Sequence, residues 1–497
     1  MKGRTLRPAY FTGIINLPQL LRVLGALLMI EAAFMLLPLG VSLLRGESDA
    51  RAFAIAAGAA LAVGAPMHYC PRPRSSNLGR RDGCLLTVAA WLLFSLFGMV
   101  PFMLCATPLN AAEAFFETVS GFTTTGATVY QDIERVSHGV VFWRALTQWL
   151  GGMGIIVFTL AVFPSLNTGG GVSMFRAESS GITLNKLGSR IADTAKVLWA
   201  VYAAFTLLLV ALLWAGPMGL FESVCHAMAT ISTGGFSTRN ESIAAFASPY
   251  VKVVLTVFMF IGGVNFALII MAVKRRSLKA LRNDVLAAYL RFIMFYYVLF
   301  VGAIVAGGHL RGWESVTIDP LFHIVSAMTS TGLGAGDFEA WGAMALALTM
   351  VMMYVGACAG STTGGAKIDR VLFMLKNFRS ELRRNISPNT LRPVGINGKA
   401  VSYGTASEIM AFLMIYTLMI IAGGIVLAAA GFPLVDAFFS SFSCMANSGL
   451  GAGITGVTGS FHFLPDFSKW VMSFLMLAGR LEVFSLIVLF CPAFWRR

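Results

Sequence analysis

The sequence predicts an all-α polytopic membrane protein: four pseudo-symmetric helix–pore-loop–helix repeats around one pore, plus two extra N-terminal transmembrane helices. Three observations predict it. The composition is too apolar for water, about ten apolar runs are long enough to cross a bilayer, and four further apolar segments, too short to cross, share one ending.

Of the 497 residues, 57% are hydrophobic and 12% charged, with a mean hydropathy of +0.76. A soluble domain carries about 25% charged residues, so most of this chain belongs in lipid or in protein enclosed by lipid. The N-terminal stretch MKGRTLRPAYFTGIINLPQLL lacks a short apolar core followed by a small-residue cleavage site, so no cleaved signal is expected. Apolar runs near 20–44, 52–69, 84–107, 139–164, 193–216, 249–273, 286–308, 340–366, 403–431 and 468–491 predict ten spans at about 20 residues each. The Ala- and Gly-rich run at 52–69 is the weakest of them.

The net charge of +14 raises the question of nucleic acid, and its distribution answers it. Of 37 Lys and Arg, 27 fall in one alternating set of links: 1–17, 71–82, 166–197, 273–292, 367–400 and 496–497. The opposite set holds 8, namely Arg45, Arg51, Arg135, Arg144, Arg239, Lys252, Arg311 and Lys469. That asymmetry places both termini in the cytoplasm of a multi-pass inner (plasma) membrane protein, with lipid and not nucleic acid as its surroundings. The seven cysteines are scattered with no CxxC pair, which is neither a disulfide framework nor a metal site.

The short apolar segments are 111–127, 219–236, 318–334 and 435–451. Aligned on a glycine, their ends read GFTTTGA (121–127), ATISTGG (229–235), AMTSTGL (327–333) and CMANSGL (444–450). The aligned glycines are Gly126, Gly234, Gly332 and Gly449, and an acidic residue opens each segment: Glu113, Glu222, Asp319 and Asp436. A second motif comes within the next apolar run, as LGGMG (150–154), IGGVN (261–265), VGACA (355–359) and AGRLE (478–482). Such repetition defines the architecture. The expected division is 1–80 for the N-terminal pair, 81–165, 166–275 and 276–376 for repeats one to three, and 377–497 for the fourth.

A helix that enters the membrane and turns back exposes backbone at depth, which is tolerated where it lines a water-filled path. Four such turns meeting on one axis can offer a ring of carbonyls that replaces a cation's hydration shell. Glycine suits that ring because it accepts backbone angles other residues avoid. The expected filter residues are Thr124, Thr125, Gly126, Ser232, Thr233, Gly234, Ser330, Thr331, Gly332, Asn447, Ser448 and Gly449. The hydroxyls of Thr125, Thr233, Thr331 and Ser448 are expected to add ligands or hold the turn. The short helices point their partly negative ends inward, and the acidic residues at their outer ends compensate the dipole and attract cations.

Residues 356–365, GACAGSTTGG, interrupt the eighth run with four glycines, each costing about 1 kcal/mol in a helix relative to alanine. A mid-membrane loop is expected there, with Gly356, Cys358, Gly360, Ser361, Thr362, Thr363, Gly364 and Gly365 acting as a gate. Arg480 lies in an otherwise apolar run, where an ionisable residue is costly unless it has a role. Its register matches Gly152, Gly263 and Ala357, which puts it beneath the filter, held by loop carbonyls or by Glu482. Glu31 reads as a buried hydrogen-bonder, His226 and His323 as packing residues, and Trp143 and Trp470 as interfacial belt residues.

The stretches SGFTTTGATV (120–129), QWLGGMGIIVF (148–158), ISTGGFST (231–238), GGVNF (262–266), CAGSTTGGAK (358–367) and AGRLEVF (478–484) resemble the Trk/Ktr/HKT superfamily of cation transporters. The bacterial TrkH branch, with its two extra N-terminal helices, is the nearest. The resemblance covers essentially the whole chain. It implies a homodimer with one pore per protomer, K+ as the transported ion and no cofactor in this chain. It further implies gating by a cytosolic nucleotide-binding TrkA-type subunit, to which the basic loops 273–292 and 367–400 are available. In sodium-conducting relatives the first filter glycine tends to be serine, so Gly126 implies K+ preference. Two departures stand out: Asn447–Ser448 in the fourth filter segment, and Thr363 and Ala366 where relatives carry glycine and a branched apolar residue. The alternatives are a secondary ion-coupled transporter with broken helices, or a sodium-permeable relative. The six histidines form no HExxH and there is no GxSxG, which argues against an enzyme.

Overall fold

A computed structural model describes residues 15–73, 78–154, 191–277, 281–308, 312–387, 394–456 and 459–496. The described residues are mostly helical; the described strands are a two-residue antiparallel pair, β1 (Gly395–Ile396) and β2 (Lys399–Ala400).

Helices α1 (Leu17–Arg45) and α2 (Ala50–Tyr69) form an antiparallel hairpin. Gly46 ends α1 in the left-handed conformation (φ 68), as glycine does at helix C-termini. Small residues draw the two backbones together: a Cβ on Gly25 would sit 2.5 Å from the Gly64 carbonyl oxygen. The Ala- and Gly-rich composition that made 52–69 a weak span is therefore what packs it. The hairpin docks on the first repeat where a Cβ on Gly139 would meet Ser42 Oγ.

Four units come next, each a long helix, a short helix and a second, broken helix. The long helices are α3 (Arg80–Gly98, continued by Val100–Leu104), α6 (Ile191–Trp214), α10 (Asp284–Ala306) and α14 (Tyr403–Ala429). The short ones are α4 (Ala111–Phe122), α7 (Leu220–Ile231), α11 (Trp313–Met328) and α15 (Leu434–Ala446). The second helices are α5 (His138–Gly152), α8 (Pro249–Gly262), α12 (Ala343–Val355) and α16 (Asp466–Arg480).

Ten straight spans are not what forms. The described helices include six long and apolar enough to cross unbroken, and all four second helices stop short. They hold 15, 14, 13 and 15 residues, or about 20–22 Å at 1.5 Å per residue, against a hydrocarbon core of about 30 Å. After α8 the chain turns through 93° into α9 (Phe266–Lys274), and after α16 through 113°. After α12 comes the 356–365 loop and then α13 (Ile368–Ile386). The continuation of α5, residues 155–190, lies outside the described residues. All four breaks fall at the second sequence motif, though hydropathy shows only the third.

Candidate functional site

The four short helices end alike, and the shared geometry sets their register. Thr124, Thr233, Ser330 and Asn447 are left-handed (φ 56, 55, 51 and 52), and two residues later Gly126, Gly235, Gly332 and Gly449 have φ of 85, 80, 80 and 72. Between them the amides of Thr125, Gly234, Thr331 and Ser448 bond the carbonyls of Ser120, Ala229, Ser326 and Ser443 at 2.7–2.9 Å. This moves the second copy by one residue from the sequence alignment: Gly235, not Gly234, is the counterpart of Gly126. Gly234 occupies the place held elsewhere by Thr125, Thr331 and Ser448, so the second copy brings no hydroxyl there. Gln148 takes that space, donating from Nε2 to the Gly234 carbonyl (2.6 Å) and accepting from the Phe236 amide (3.1 Å).

The four glycine turns close into a ring. A Cβ on Gly126 would lie 2.2 Å from the Gly234 oxygen, and one on Gly235 1.8 Å from that of Thr331. Gly332 faces Ser448 O at 2.0 Å and Gly449 faces Thr125 O at 2.1 Å in the same sense. Each copy thus touches the next and the fourth touches the first. Any side chain at these glycines would strike a neighbour's backbone.

Polar braces stand behind the ring at one equivalent position per copy: Glu117, His226, His323 and Ser440. Glu117, fully buried, accepts from the Thr128 hydroxyl (3.0 Å), the Val129 amide (2.9 Å) and Arg144 Nε (2.7 Å). Arg144 is itself buried, with its guanidinium 4.0 Å from the Phe236 ring centroid. His226 reaches Ser237 Oγ (3.0 Å), His323 reaches Thr349 Oγ1 (2.9 Å) and Ser440 reaches Thr455 Oγ1 (3.0 Å). The two histidines are therefore more than packing residues.

The acidic residues at the heads of the short helices are largely spoken for. Glu113 and Asn110 cap α4 reciprocally (3.2 and 2.9 Å). Lys469 of the fourth copy pairs with Glu113 of the first (2.9 Å), and Lys252 of the second with Asp319 of the third (2.7 Å). Arg239 takes Glu222 (2.7 Å). Lys252, Lys469 and Arg144, counted by sequence as outer-side link charges, are buried in helices.

Below the ring the broken helices bring glycine against it. A Cβ on Gly151 would clash with Phe122 O at 1.8 Å, and one on Gly479 with Met445 O at 2.1 Å. One buried aromatic on each long helix backs this layer: Trp91, Tyr202, Tyr289 and Tyr416. Tyr202 and Tyr289 fill the space beside Gly152 and Gly263, Trp91 lies 5.9 Å from the Arg480 guanidinium, and Tyr416 bonds Met445 O (3.2 Å).

The 356–365 loop is non-helical, with left-handed φ at Gly356, Gly360 and Gly365 (68, 76 and 77). It crosses from copy to copy. The Cys358 amide bonds Gly263 O (3.1 Å), Gly360 O accepts from the Phe266 amide (3.2 Å) and Asn265 Nδ2 donates to Ala359 O (2.7 Å). Ser361 Oγ and Thr363 Oγ1 bond each other at 2.8 Å, and Lys367 Nζ holds Thr363 through its carbonyl. Arg480 donates from Nη1 to Thr362 O (2.9 Å) and Thr124 Oγ1 (3.3 Å), and from Nη2 to Gly151 O (2.5 Å) and Gly152 O (3.2 Å). One of its carbonyl partners, Thr362 O, belongs to the loop, and the other two, Gly151 O and Gly152 O, belong to the end of α5. Glu482 instead pairs with Arg370 on α13: it lies past the end of α16, in a turn where its own φ is 52. Lys367 and Arg370 add two buried cations that the sequence pattern does not flag.

Two further expectations change. Trp143 is fully buried and donates to Gly98 O (3.1 Å), so it is core; Trp470, 44% exposed, fits a belt. Glu31 is fully buried and neither of its carboxylate oxygens finds a partner among the described residues. Cys70 and Cys491 are exposed, while Cys105, Cys225, Cys358 and Cys444 are buried and unbridged.

The chain resembles known proteins in sequence and overall fold. The chain matches the profile of a family described as TrkH, cation transport protein, over residues 50–310 and 313–497. The chain belongs to the TrkH family. Members of this family are transporters and not enzymes. The Trk system potassium uptake protein TrkH of Escherichia coli K12 is 34% identical over 96% of this chain and 98% of its own. TrkH of Halomonas elongata is 34% identical over 97% and 100%. The crystal structure of the potassium transporter TrkH from Vibrio parahaemolyticus superposes with a TM-score of 0.87 at 29% identity, covering 96% of this chain and 99% of that one. This TrkH-family chain is thus an all-α polytopic membrane protein, as its repeats and composition imply.

Proposed function

We propose that the chain is a potassium-uptake subunit of a bacterial inner membrane, conducting K+ inward through the four-turn ring. The closed ring of glycine turns carries this reading: each turn closely approaches the backbone of the next, a side chain at any of the four glycines would strike that backbone, and the short helices aim their C-termini at it. The filter then comprises Thr124, Thr125, Gly126, Thr233, Gly234, Gly235, Ser330, Thr331, Gly332, Asn447, Ser448 and Gly449, with Ser232 capping its helix. The loop 356–365 and Arg480 form the gate beneath. A cytosolic nucleotide-binding TrkA-type subunit controls that gate, the chain works as a homodimer, and both termini face the cytoplasm. The relatives named for the Trk potassium uptake system support K+ and this partner. The repeats divide as 81–165, 166–275, 276–376 and 377–497.

Rubidium uptake into proteoliposomes containing only this chain is the test. Uptake down a gradient, with Rb+ and K+ favoured over Na+, is the expected result. Uptake that requires a proton or sodium gradient would favour the coupled-transporter reading instead, and equal Na+ flux the sodium-permeable one.

A further inference from the structure

The four turns of the ring are not all held in the same way. In the first copy Ser120 Oγ donates to Ala127 O (2.6 Å), and the Thr125 and Thr123 hydroxyls bond each other (2.8 Å). The third copy repeats both contacts: Ser326 Oγ donates to Leu333 O (2.8 Å), and Thr331 bonds Thr329 (2.7 Å). The fourth carries the corresponding hydroxyls in Ser443 and Ser448, each buried with no hydrogen-bond partner among the described residues. The second copy has Ala229 and Gly234 at these two places and so has neither hydroxyl.

Its turn is held from the first copy instead. Gln148, on α5 and fully buried, donates from Nε2 to Gly234 O (2.6 Å) and accepts from the Phe236 amide (3.1 Å). These two groups belong to the peptide planes on either side of Gly235, the counterpart of Gly126. One side-chain amide therefore fixes the backbone both before and after the ring glycine. A Cβ on Gly234 would stand 2.4 Å from Gln148 Cδ, so the glutamine fits only against a glycine. Two residues before the second sequence motif, where the first copy has Gln148, the others have Met259, Met353 and Met476, all fully buried. A thioether has no hydrogen to donate.

We propose that Gln148 is a specificity-determining positioning residue, which acts across the seam between the first and second copies and sets the width of the ring there. It touches no ion. Glycine is the residue with the freest backbone, and Gly234 and Gly235 stand side by side. Without Gln148 this turn is the one most able to close around a smaller ion. The carbonyl that Gln148 holds is also the one that a Cβ on Gly126 would strike at 2.2 Å, so fixing it fixes the contact between two turns. Alkali cations carry the same charge. A ring of oxygens tells them apart only by the size of the space and by the number and field of its ligands, and a loosened turn alters both.

The inference rests on reading the ring as the filter, and its test separates the two. Gln148→Met introduces the residue of the other copies and removes both hydrogen bonds at nearly constant volume. The reversal potential of the full-length chain in planar bilayers, under a bi-ionic K+/Na+ gradient, is the measurement. Relative Na+ permeability is expected to rise by roughly five- to tenfold, the worth of about one net hydrogen bond. A residue that served stability alone would lower the amount of folded protein and leave the ratio where it was. Adding Ala229→Ser and Gly234→Thr gives the second turn the hydroxyls of the first and third. Gly234 is not left-handed, so a side chain there meets no backbone strain, and the triple variant should regain the parent ratio. An unchanged ratio in Gln148→Met would overturn the proposal, as would a triple variant that does not fold or folds without regaining selectivity. Should Gln148→Met alone fail to fold, the triple variant decides by the same criterion. A selective parent with an unaffected Gln148→Met sinks the role of Gln148 alone, whereas a parent indifferent to K+ and Na+ sinks the filter reading and this role with it.

Discussion

Lys469 of the last copy donates to Glu113 at the head of the first copy's short helix, 2.9 Å away and almost out of water. It ties the end of the repeat series to its beginning. Removing one partner of a buried pair leaves an uncompensated charge, at a cost of about 3 kcal/mol. Lys469→Met should therefore lower the midpoint of thermal unfolding in detergent, and adding Glu113→Gln should restore most of the loss. An unchanged midpoint in the single variant would show that His462, 3.0 Å from the same carboxylate, suffices.

The register of the second copy makes two adjacent glycines behave differently. Gly235→Ala puts a Cβ 1.8 Å from the Thr331 carbonyl at φ 80, so uptake should be abolished. Gly234→Ala meets the side chain of Gln148, which can be cut back. Uptake by Gly234→Ala should recover when Gln148→Ala is added, and no such partner should rescue Gly235→Ala. Equal rescue of both would return the second copy to the sequence alignment.

The proposed filter makes Gly126 the position at which selectivity is tested. Serine there meets the Gly234 carbonyl and an unfavourable φ of 85, so the ring must open or twist to admit it. Gly126→Ser is expected to raise relative Na+ permeability by about tenfold, which corresponds to about 1.4 kcal/mol of discrimination. The reversal potential under a bi-ionic K+/Na+ gradient measures it, and no shift would count against the filter.

At the proposed gate, Arg480→Ala or deletion of Ser361 to Gly364 should increase Rb+ flux and weaken its dependence on the proposed cytosolic partner. A fixed positive charge beside the path repels K+ strongly in a low-dielectric surround. Variants that fold and dimerise normally yet carry wild-type flux or less would make Arg480 a structural residue that braces Gly151 and Thr124.

Orientation is open to direct labelling. Asp337 and Arg383 are both exposed. Single cysteines at these positions, in a cysteine-free background, should react with an impermeant reagent from opposite faces, Asp337 from outside. Reaction of both from outside would invert the arrangement.

Much of this architecture is legible in the sequence because it is written four times. One TTTG proves little, but four short apolar segments with the same ending require a ring. The one-residue shift at Gly234 arises from aligning on STG in a segment that reads STGG. Each acidic head stands 13 residues before the structural glycine, from Glu113 to Gly126 and from Glu222 to Gly235, and that spacing carries the correct register. The breaks in α8 and α16 are hidden because hydropathy runs on across them; a chain can turn sharply among apolar residues without changing its average. The Arg370–Glu482 pair joins residues far apart in sequence, and no local pattern points to it. Arg144, Lys252 and Lys469 look like surface charges because a count by link cannot tell a helix end from a loop.

Thr124, Thr233, Ser330 and Asn447 all hold a backbone conformation that glycine adopts freely and other residues resist. Each non-glycine there costs about 1 kcal/mol, so the four together forgo about 4 kcal/mol in a fold whose net stability is of order 5–15 kcal/mol. Glycine at every one of them would give a more relaxed turn and a sturdier protein. On the proposed reading of the ring as a filter, side chains kept there regardless make this turn the point where stability and ion handling pull against each other. The opposition is weakest at Asn447, the residue type most at ease in that conformation.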